Sequence, residues 1–552
     1  MQIFMFAAFL ILAGRAFYVQ CVNSEFFIRQ GERRYKHVLE RRPSRGRILD
    51  RNGAILAINE PVKDLWVAPK EFVHCDSARL AALAKLLAVP EQNLLSMRAS
   101  QKDFLYLKKR VKNDVGMQIS KMQVPGVHET DNSERYYPDG NDFAQLIGLT
   151  GADGHGQEGV ELAYDAGLMG TSTQRDVIVD RMGHVIQEMD DGKVGTPASD
   201  VTLTIDRRIQ HIAMQATQAA VTRFRAAAGS AIVVDARTGE ILALANVPTL
   251  NPNSESGPYD SRFRNRGLSD VFEPGSTIKP VTVSLALSEG VITPNTLFDT
   301  SPGVINAYGR VIHDTSNHGV ITTTEIIAKS SNIGMVKIAA KLEAEDMWKN
   351  FKAYGVGTKP VSDFTSVARG TLWPAQQWKP IEKATMAYGY GLSLSLAQIA
   401  DIYTVFAGDG KRRPLSLVRG PSLPPAVSVV SPKVAEQIRS MLEVTVEPGG
   451  TATMARLPDY RVGAKTGTAR AGASGRYAAG KYHAVFVGMA PLSAPRLIVA
   501  VMIDEPSRGS VYGGPVAGPS FSAIMESSLH LLGVRQDKVP EPCKQCHSSR
   551  HV

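Results

Sequence analysis

Cysteine is scarce in this sequence. Four residues, Cys21, Cys75, Cys543 and Cys546, in a chain of 552 are too few for a disulfide scaffold and leave the redox compartment open. Metal-ligand spacing is missing too: the 12 histidines form no H-E-x-x-H or similar pattern, so no metal or organic cofactor is implied. There is no zinc-finger spacing, no RNP-like aromatic motif and no dense Lys/Arg helix, which sets nucleic acid aside as a partner. The net charge of +9 remains compatible with some other anionic partner, or with a solvated basic surface. One short pattern, "CKQCH" from Cys543 to His547, matches a c-type haem attachment site. It stands near the end of a polar tail with no apolar element behind it to wall a haem, so it reads as an incidental or loosely metal-binding tail.

What is present is the composition of a folded globular protein, 43% hydrophobic and 21% charged, long enough for about three or four domains. The apolar run Ile3–Ala13 is too short to cross a bilayer alone. Extended to Val22 it reaches the required length of about 20 residues, and Arg15 must then snorkel or face protein. A cleaved signal peptide would carry a basic n-region and an A-x-A site, and neither is there. An uncleaved single span is therefore expected. Arg29, Arg33, Arg34, Lys36, Arg41 and Arg42 follow it and no Lys or Arg precedes it, which by the positive-inside rule would leave the bulk of the chain cytoplasmic. The chemistry below requires the opposite side, so the expectation is a first residue already inside the span, with a basic cytoplasmic tail missing upstream.

Beyond the span, Arg42–Ala57 ("RPSRGRILDRNGAILA") reads as a strand, a turn at Asn52-Gly53 and a returning strand. Ser77–Val89 has helical periodicity with Ser77 as its cap. "GHGQEG", Gly154–Gly159, fits G-x-G-x-x-G, yet no repeated β-α-β units surround it, so it reads as a glycine-rich helix entry. Gly, Pro, Ser and Asp cluster at Asp190–Asp200 and mark a boundary. Then come a long helix over Ile205–Phe224 and a hairpin over Gly229–Asn246 that turns at Thr238-Gly239. Helical segments run to about Gln398; strands at "RVGAKTGTAR", "HAVFVGMAP" and "RLIVAVMIDEP" follow, and a last helix over Gly518–Gly533. The expected fold is mixed α/β, a sheet flanked by helices, with its strands split between the two ends of the domain.

Within the second half stands "EPGSTIKP". On a helix, positions i and i+3 share a face, so the Lys279 amine can reach the Ser276 hydroxyl. Gly275 opens the turn and Pro280 falls where a missing N–H costs least. A helix N-terminus and burial both lower a lysine pKa, and a neutral amine accepts a serine proton. Ser276 is then a candidate nucleophile. A Ser-x-x-Lys alone arises by chance about twice in a chain this long, and a capping serine before a surface lysine explains it equally well. Two further stretches follow in order: "AKSSNIGM", with Ser330-Ser331-Asn332, and "GAKTGTAR", with Lys465-Thr466-Gly467-Thr468.

This triplet, S-x-x-K, S-x-N and K-T-G, belongs to serine acyl-transfer enzymes of the penicillin-binding and β-lactamase type. The chain resembles the class B penicillin-binding proteins over nearly its whole length: "SRGRILDRNG" (Ser44–Gly53), "GQEGVEL" (Gly156–Leu162), "DARTGEILALAN" (Asp235–Asn246), "FEPGSTIKP" and "YGG" (Tyr512–Gly514) all carry the likeness. Within class B, "PSRGRILDRNG", "AYGYGLSLSLAQIA" (Ala387–Ala400) and "KTGTA" are similar to the septal, FtsI-type branch, whereas elongation-type relatives tend to carry Lys-Ser-Gly at the third motif.

The resemblance implies a transmembrane anchor at 1–22, an α+β pedestal at 23–199, a serine β-lactamase-like transpeptidase domain with a central antiparallel sheet at 200–535, and a polar tail at 536–552. It implies that Ser276 attacks the penultimate D-Ala carbonyl of a D-Ala-D-Ala stem peptide while Lys279 takes its proton. Ser330 would relay a proton to the leaving amine, Asn332 would hold the peptide amide, and Lys465 would keep the site electropositive. Backbone N–H groups of Ser276 and Thr468 would form the oxyanion hole, and the Thr466 and Thr468 hydroxyls, around Gly467, would meet the substrate carboxylate. β-Lactams would acylate the same serine. The implied partners are peptidoglycan stem peptides, a SEDS-type glycan polymerase (FtsW-like), other division proteins, and the inner membrane through the N-terminal helix, with the catalytic domain in the periplasm. Rival readings are an elongation-type transpeptidase, a D,D-carboxypeptidase or β-lactamase, and a non-catalytic β-lactam sensor.

Overall fold

The computed structural model describes residues 1–27, 36–41, 43–179, 185–188, 193–254, 261–361, 364–420, 423–473 and 476–538. The stem residues Arg29, Arg33, Arg34 and Arg42 and the CKQCH tail lie outside them. Gln2–Val22 is helical throughout, closing in a π turn from Tyr18, and is long and apolar enough to cross a membrane. The Arg15 guanidinium lies 5.4 Å over the Tyr18 ring, one helical turn on, a cation–π contact that partly offsets the loss of water around the charge.

The chain divides into two compact units. The first comprises 1–47, 59–134 and 166–200; the second comprises 48–58, 135–165 and 201–552. The stretch 23–199 therefore contributes to both. In the first unit, Val62–Val67 pairs antiparallel with Leu105–Lys112, and the helices Ser77–Leu87, Glu91–Arg98 and Asn113–Lys121 close a small core around Leu65, Phe72, Leu83, Leu94 and Leu107. The cap of Ser77–Leu87 is Asp76, whose carboxylate accepts the Arg79 N–H at 2.8 Å. Ser77 was expected there; a carboxylate at a helix N-terminus is the better acceptor, and the helix starts one residue earlier than expected, at Ser77 itself.

The second unit is built on one antiparallel sheet: β1 (Ala228–Asp235), β2 (Ile241–Val247), β3 (Gly463–Ala473), β4 (Arg476–Ala490) and β5 (Leu497–Asp504), in the order β2-β1-β5-β4-β3. The expected split of strands between the two ends of the domain is what the sheet shows. Gly239, at φ +80°, makes the β1–β2 turn, its N–H bonding the Asp235 carbonyl at 2.9 Å. The helices of this unit include α1 (Arg207–Phe224), α2 (Lys279–Ser288), α3 (Thr323–Lys329), α4 (Asn332–Ala339), α5 (Leu396–Ala407), α6 (Pro432–Val444) and α7 (Gly513–Leu531). Ala231, Val233, Val499, Val501 and Phe486 point into one core with α1 and α7, and the alternate residues of the same strands face α5. Both faces are covered, which is why β1 and β5 read as unbroken apolar runs.

The edge strand β2 is closed: the Gln210 amide donates to the Leu244 carbonyl at 3.1 Å and accepts the Leu244 N–H at 2.7 Å. Ile241 N–H bonds the Ser416 carbonyl at 2.9 Å. Strand β3 is the other edge.

The turn in "LDRNGA" has only Gly53 at positive φ, +86°, and closes from Gly53 N–H to the Asp50 carbonyl at 3.1 Å. Asp50 also accepts the Asn52 and Ala54 N–H groups at 2.7 and 2.8 Å, so the turn is longer than the two-residue Asn-Gly turn expected. "GHGQEG" follows a helix, Gly140–Ile147, and enters a five-residue one, Gly159–Ala163. The strand a dinucleotide fingerprint requires before it is absent, and Gly159 is needed because a Cβ there would lie 2.5 Å from the Ile147 backbone.

Candidate active site

Ser276 lies on a 3-10 turn, Gly275–Ile278, and Lys279 is the first residue of α2, with Pro280 behind it. The sequence placed serine and lysine on one α-helix; the structure puts the serine in the tighter turn ahead of it. Gly275 takes φ +54° and its N–H bonds the Gly389 carbonyl at 3.2 Å, which forces the backbone to enter the helix through that turn. Residues i and i+3 eclipse there, so the two side chains still leave on one side. Gly389 is itself at φ +95°, and a Cβ on it would stand 2.0 Å from the Gly275 carbonyl oxygen.

The second motif is a hinge between helices. Ser330 ends α3 in the left-handed region, φ 60° and ψ 37°, and Ser331 caps α4 by accepting the Gly334 N–H at 2.9 Å. The helix cap thus falls to the motif's middle residue. Ser330 holds a strained conformation, of the kind that persists where surrounding structure imposes it. The third motif lies on β3, where Thr466 and Thr468 pair with Phe486 and Ala484 of β4. Gly467 lies between them, where a Cβ would meet the Pro274 carbonyl and the Thr277 methyl at 2.9 Å.

These elements bring two lysines into the interior. Lys279 and Lys465 are both 0% exposed. The Lys279 amine bonds the Ser330 carbonyl at 2.6 Å, the Ser330 hydroxyl at 3.2 Å and Asn332 Oδ1 at 2.9 Å. The Lys465 amine bonds the same Ser330 hydroxyl at 2.9 Å and the Thr466 carbonyl at 3.3 Å. Burial first, and then the neighbouring Lys465 charge, hold the Lys279 amine well below the usual lysine range, against the opposing pull of Asp314. Burial alone brings Lys465 down to about 7. A hydrogen bond from Lys279 to the Ser276 hydroxyl was the expectation; the amine instead turns to the hinge. Ser276 itself is half-buried, and its hydroxyl has no hydrogen bond among the described residues.

The Asn332 amide is oriented by its other end, Nδ2 donating to the His313 carbonyl at 3.0 Å, which leaves Oδ1 for the lysine. Asp314 was not found from the sequence: one carboxylate oxygen takes the Ser331 hydroxyl at 2.5 Å and the other takes the Asn332 and Ile333 N–H groups at 2.5 and 3.1 Å. It lies 18 residues before Asn332 in a loop with no spacing rule to reveal it. Tyr403 of α5 was missed for the same reason; its buried hydroxyl donates to the Thr277 carbonyl at 3.0 Å. Beside β3, the Thr466 hydroxyl donates to Thr451 at 3.3 Å. The Thr468 hydroxyl oxygen accepts the Gly513 N–H of α7 at 3.0 Å, so its own proton remains for a ligand.

Comparison with known proteins places the chain in a family. Residues 229–526 match the penicillin binding protein transpeptidase domain and residues 40–203 the penicillin-binding protein dimerisation domain. The chain is 38% identical over 534 residues to the probable peptidoglycan D,D-transpeptidase PenA of Neisseria gonorrhoeae, covering 96% of this chain and 92% of the relative. It is 37% identical over 538 residues to the peptidoglycan D,D-transpeptidase FtsI of Escherichia coli K12, covering 96% and 91%. Among solved structures, a peptidoglycan synthetase from Bifidobacterium adolescentis superposes with a TM-score of 0.73 at 26% identity, covering 92% of this chain and 98% of that one. The transpeptidase domain of Burkholderia pseudomallei penicillin-binding protein 3 does so with a TM-score of 0.56 at 45% identity, covering 61% and 98%. The chain belongs to the penicillin-binding protein family of peptidoglycan D,D-transpeptidases.

Proposed function

We propose that this chain cross-links peptidoglycan at the division septum by acyl transfer through Ser276. The observation that carries the reading is the convergence of two buried amines, Lys279 and Lys465, on one hydroxyl, Ser330. A neutral Lys279 has two N–H bonds and one lone pair. The Ser330 carbonyl and the oriented Asn332 Oδ1 can only accept, so they take the two N–H bonds and leave the lone pair for a hydroxyl proton. Ser276 Oγ attacks the penultimate D-Ala carbonyl while its proton passes to Lys279. The oxyanion that forms is met by the Ser276 and Thr468 N–H groups. As the C–N bond breaks, the departing D-Ala nitrogen takes a proton from Lys279 through Ser330 Oγ, with Lys465 holding that hydroxyl in place. An acceptor amine then attacks the ester, gives up a proton along the same path, and returns Ser276 to its hydroxyl form.

The Thr468 proton fits a substrate carboxylate, the Thr466 hydroxyl would join it by turning its proton away from Thr451, and Asn332 fits the peptide amide. β-Lactams mimic the same amide and would acylate Ser276. The helix Gln2–Val22 would anchor the chain in the cytoplasmic membrane with the catalytic unit in the periplasm, where the substrate lies. A SEDS-type glycan polymerase (FtsW-like) and other division proteins would be its partners.

A fluorescent penicillin should label the protein and fail to label Ser276→Ala; equal labelling of both removes the serine from the mechanism. Incubation with a donor thioester and a D-amino acid should give the transfer product, and hydrolysed acid alone would refute transfer. Depletion in cells should give filaments with unfinished septa, whereas rounded cells would place the enzyme in elongation.

A further inference from the structure

In the first compact unit, remote in sequence from all three motifs, aromatic side chains form a row across three strands: Trp66 on Val62–Val67, Phe104 and Tyr106 at the start of Leu105–Lys112, and His128 on Val127–Tyr136. The His128 ring stacks on Trp66, centroids 4.3 Å apart and planes 22° apart. Trp66 meets Phe104 at 5.0 Å, and Phe104 meets Tyr106 edge-on at 4.8 Å. Lys109 continues the row, its amine 4.0 Å over the Tyr106 ring. Trp66 and Tyr106 are direct cross-strand partners, so their side chains leave the same face of the sheet. Phe104 is 44% and Tyr106 48% exposed. Solvent-facing aromatics in a contiguous row are costly to leave bare and mark a binding surface.

The surroundings define the ligand. Leu105–Lys112 carries Lys108, Lys109, Arg110 and Lys112 and no carboxylate. Lys102, Lys109 and Lys112 are exposed and make no ion pair among the described residues, while the nearby carboxylates are engaged: Asp103 by Lys70 at 2.6 Å, Glu71 by His128 at 3.6 Å, Glu129 and Asp131 by Lys63 at 3.1 and 2.6 Å, and Glu134 by Arg110 at 3.6 Å. A groove for a protein helix would offer aliphatic side chains; here the large exposed groups on the strand pair are flat rings, edged by hydroxyl and amide groups such as Thr130, which accepts the Trp66 indole N–H at 3.2 Å. Rings in line, polar edges and free cations suit a linear, anionic polysaccharide: C–H faces of its sugars stack on the rings and its carboxylates meet the lysines.

We propose that the row His128–Trp66–Phe104–Tyr106–Lys109 is a binding site for the glycan strand of peptidoglycan, separate from the acyl-transfer site. It would hold stretches of the polymer whose lactyl carboxylates are free of stem peptides, and its occupancy does not depend on Ser276.

The test uses the full chain in detergent and glycan chains stripped of stem peptides by an amidase, which frees the lactyl carboxylates. Wild type should bind these chains, and binding should weaken when salt is raised. Phe104→Ala/Tyr106→Ala should weaken it at least about tenfold, the effect of losing a principal contact. Lys109→Gln should weaken it less and reduce the salt dependence. All variants should keep wild-type labelling by fluorescent penicillin, which reports that the chain is folded and the serine site intact. Equal binding by wild type and the double variant, or no binding by wild type, overturns the proposal. Two other outcomes also overturn it: loss in the double variant of binding to phosphatidylglycerol vesicles without any glycan binding, which makes the row a lipid face, and loss of self-association alone, which makes it a contact between two copies.

Discussion

Tyr403 donates its hydroxyl proton to the carbonyl of Thr277, the residue after the candidate nucleophile, at 3.0 Å. The tyrosine is fully buried on α5, so the central helix of the unit fixes the 3-10 turn that carries Ser276. Tyr403→Phe keeps the ring and strands that carbonyl in a dry site, at a cost of about 1–3 kcal/mol. The expected outcome is a lower unfolding midpoint together with a slower penicillin acylation rate constant. An unchanged acylation rate in a destabilised variant would leave the tyrosine with packing alone.

Asp314→Asn tests the hinge. The amide keeps one acceptor for the Asn332 and Ile333 N–H groups but loses the negative charge at the start of α4, and it sets an NH2 group against the Ser331 hydroxyl. Charge-assisted bonds at a helix N-terminus contribute about 1–2 kcal/mol. Acylation should slow by about tenfold while the fold survives, as judged by circular dichroism, because Asn332 no longer holds Oδ1 toward Lys279.

Gly389→Ala should be severe. The added Cβ falls 2.0 Å from the Gly275 carbonyl oxygen at a residue with φ +95°, so two separate penalties act at one position, together roughly 2–4 kcal/mol. Loss of penicillin labelling and a lowered melting temperature are expected, with no rescue by added salt, since the fault is steric.

The buried lysines give the stability a pH dependence of known sign. Lys465 has a folded value of about 7 against an ordinary 10.5. Between those values the unfolded chain holds a proton that the folded chain lacks, so stability rises with pH there, at up to about 1.4 kcal/mol per unit for this group, and the Lys465 share of the slope vanishes below about 7. Lys279 is shifted in the same direction. Urea midpoints measured from pH 7 to 10 should climb in wild type, less steeply in Lys465→Met, and least in Lys279→Met/Lys465→Met. Acylation should fall on the acid side, where Lys279 gains its proton.

Much of this site can be read in the residue order, and the reasons differ by residue. Ser276, Lys279, Ser330, Asn332 and Lys465 form motifs with fixed internal spacing, and local spacing survives folding. The partner choice of Lys279 does not, because its acceptors come from a turn more than 50 residues away, and no periodicity weighs distant acceptors against a near one. Asp314 and Tyr403 are single residues held by tertiary contacts. The sheet was legible because β1, β5 and the second half of β4, from Ala484, are largely apolar on both faces, whereas α6 went unnoticed and α7 begins at Gly513, five residues ahead of its expected start. Gly513 fits there through packing: a Cβ would stand 2.3 Å from two carbonyl oxygens of β3 and β4, a contact invisible in the order of residues.

The plugged edge at β2 has a consequence for how the protein meets extended chains. A sheet with two open margins recruits any stretched polypeptide at either side, itself included, and Gln210 removes one of those margins by imitating a neighbouring strand. The remaining margin is β3, which carries Lys465, Thr466 and Thr468. A stretched peptide that took a sixth place in the sheet would therefore lie along β3, so the amide side chain on the far side of the sheet would act as a one-way sign.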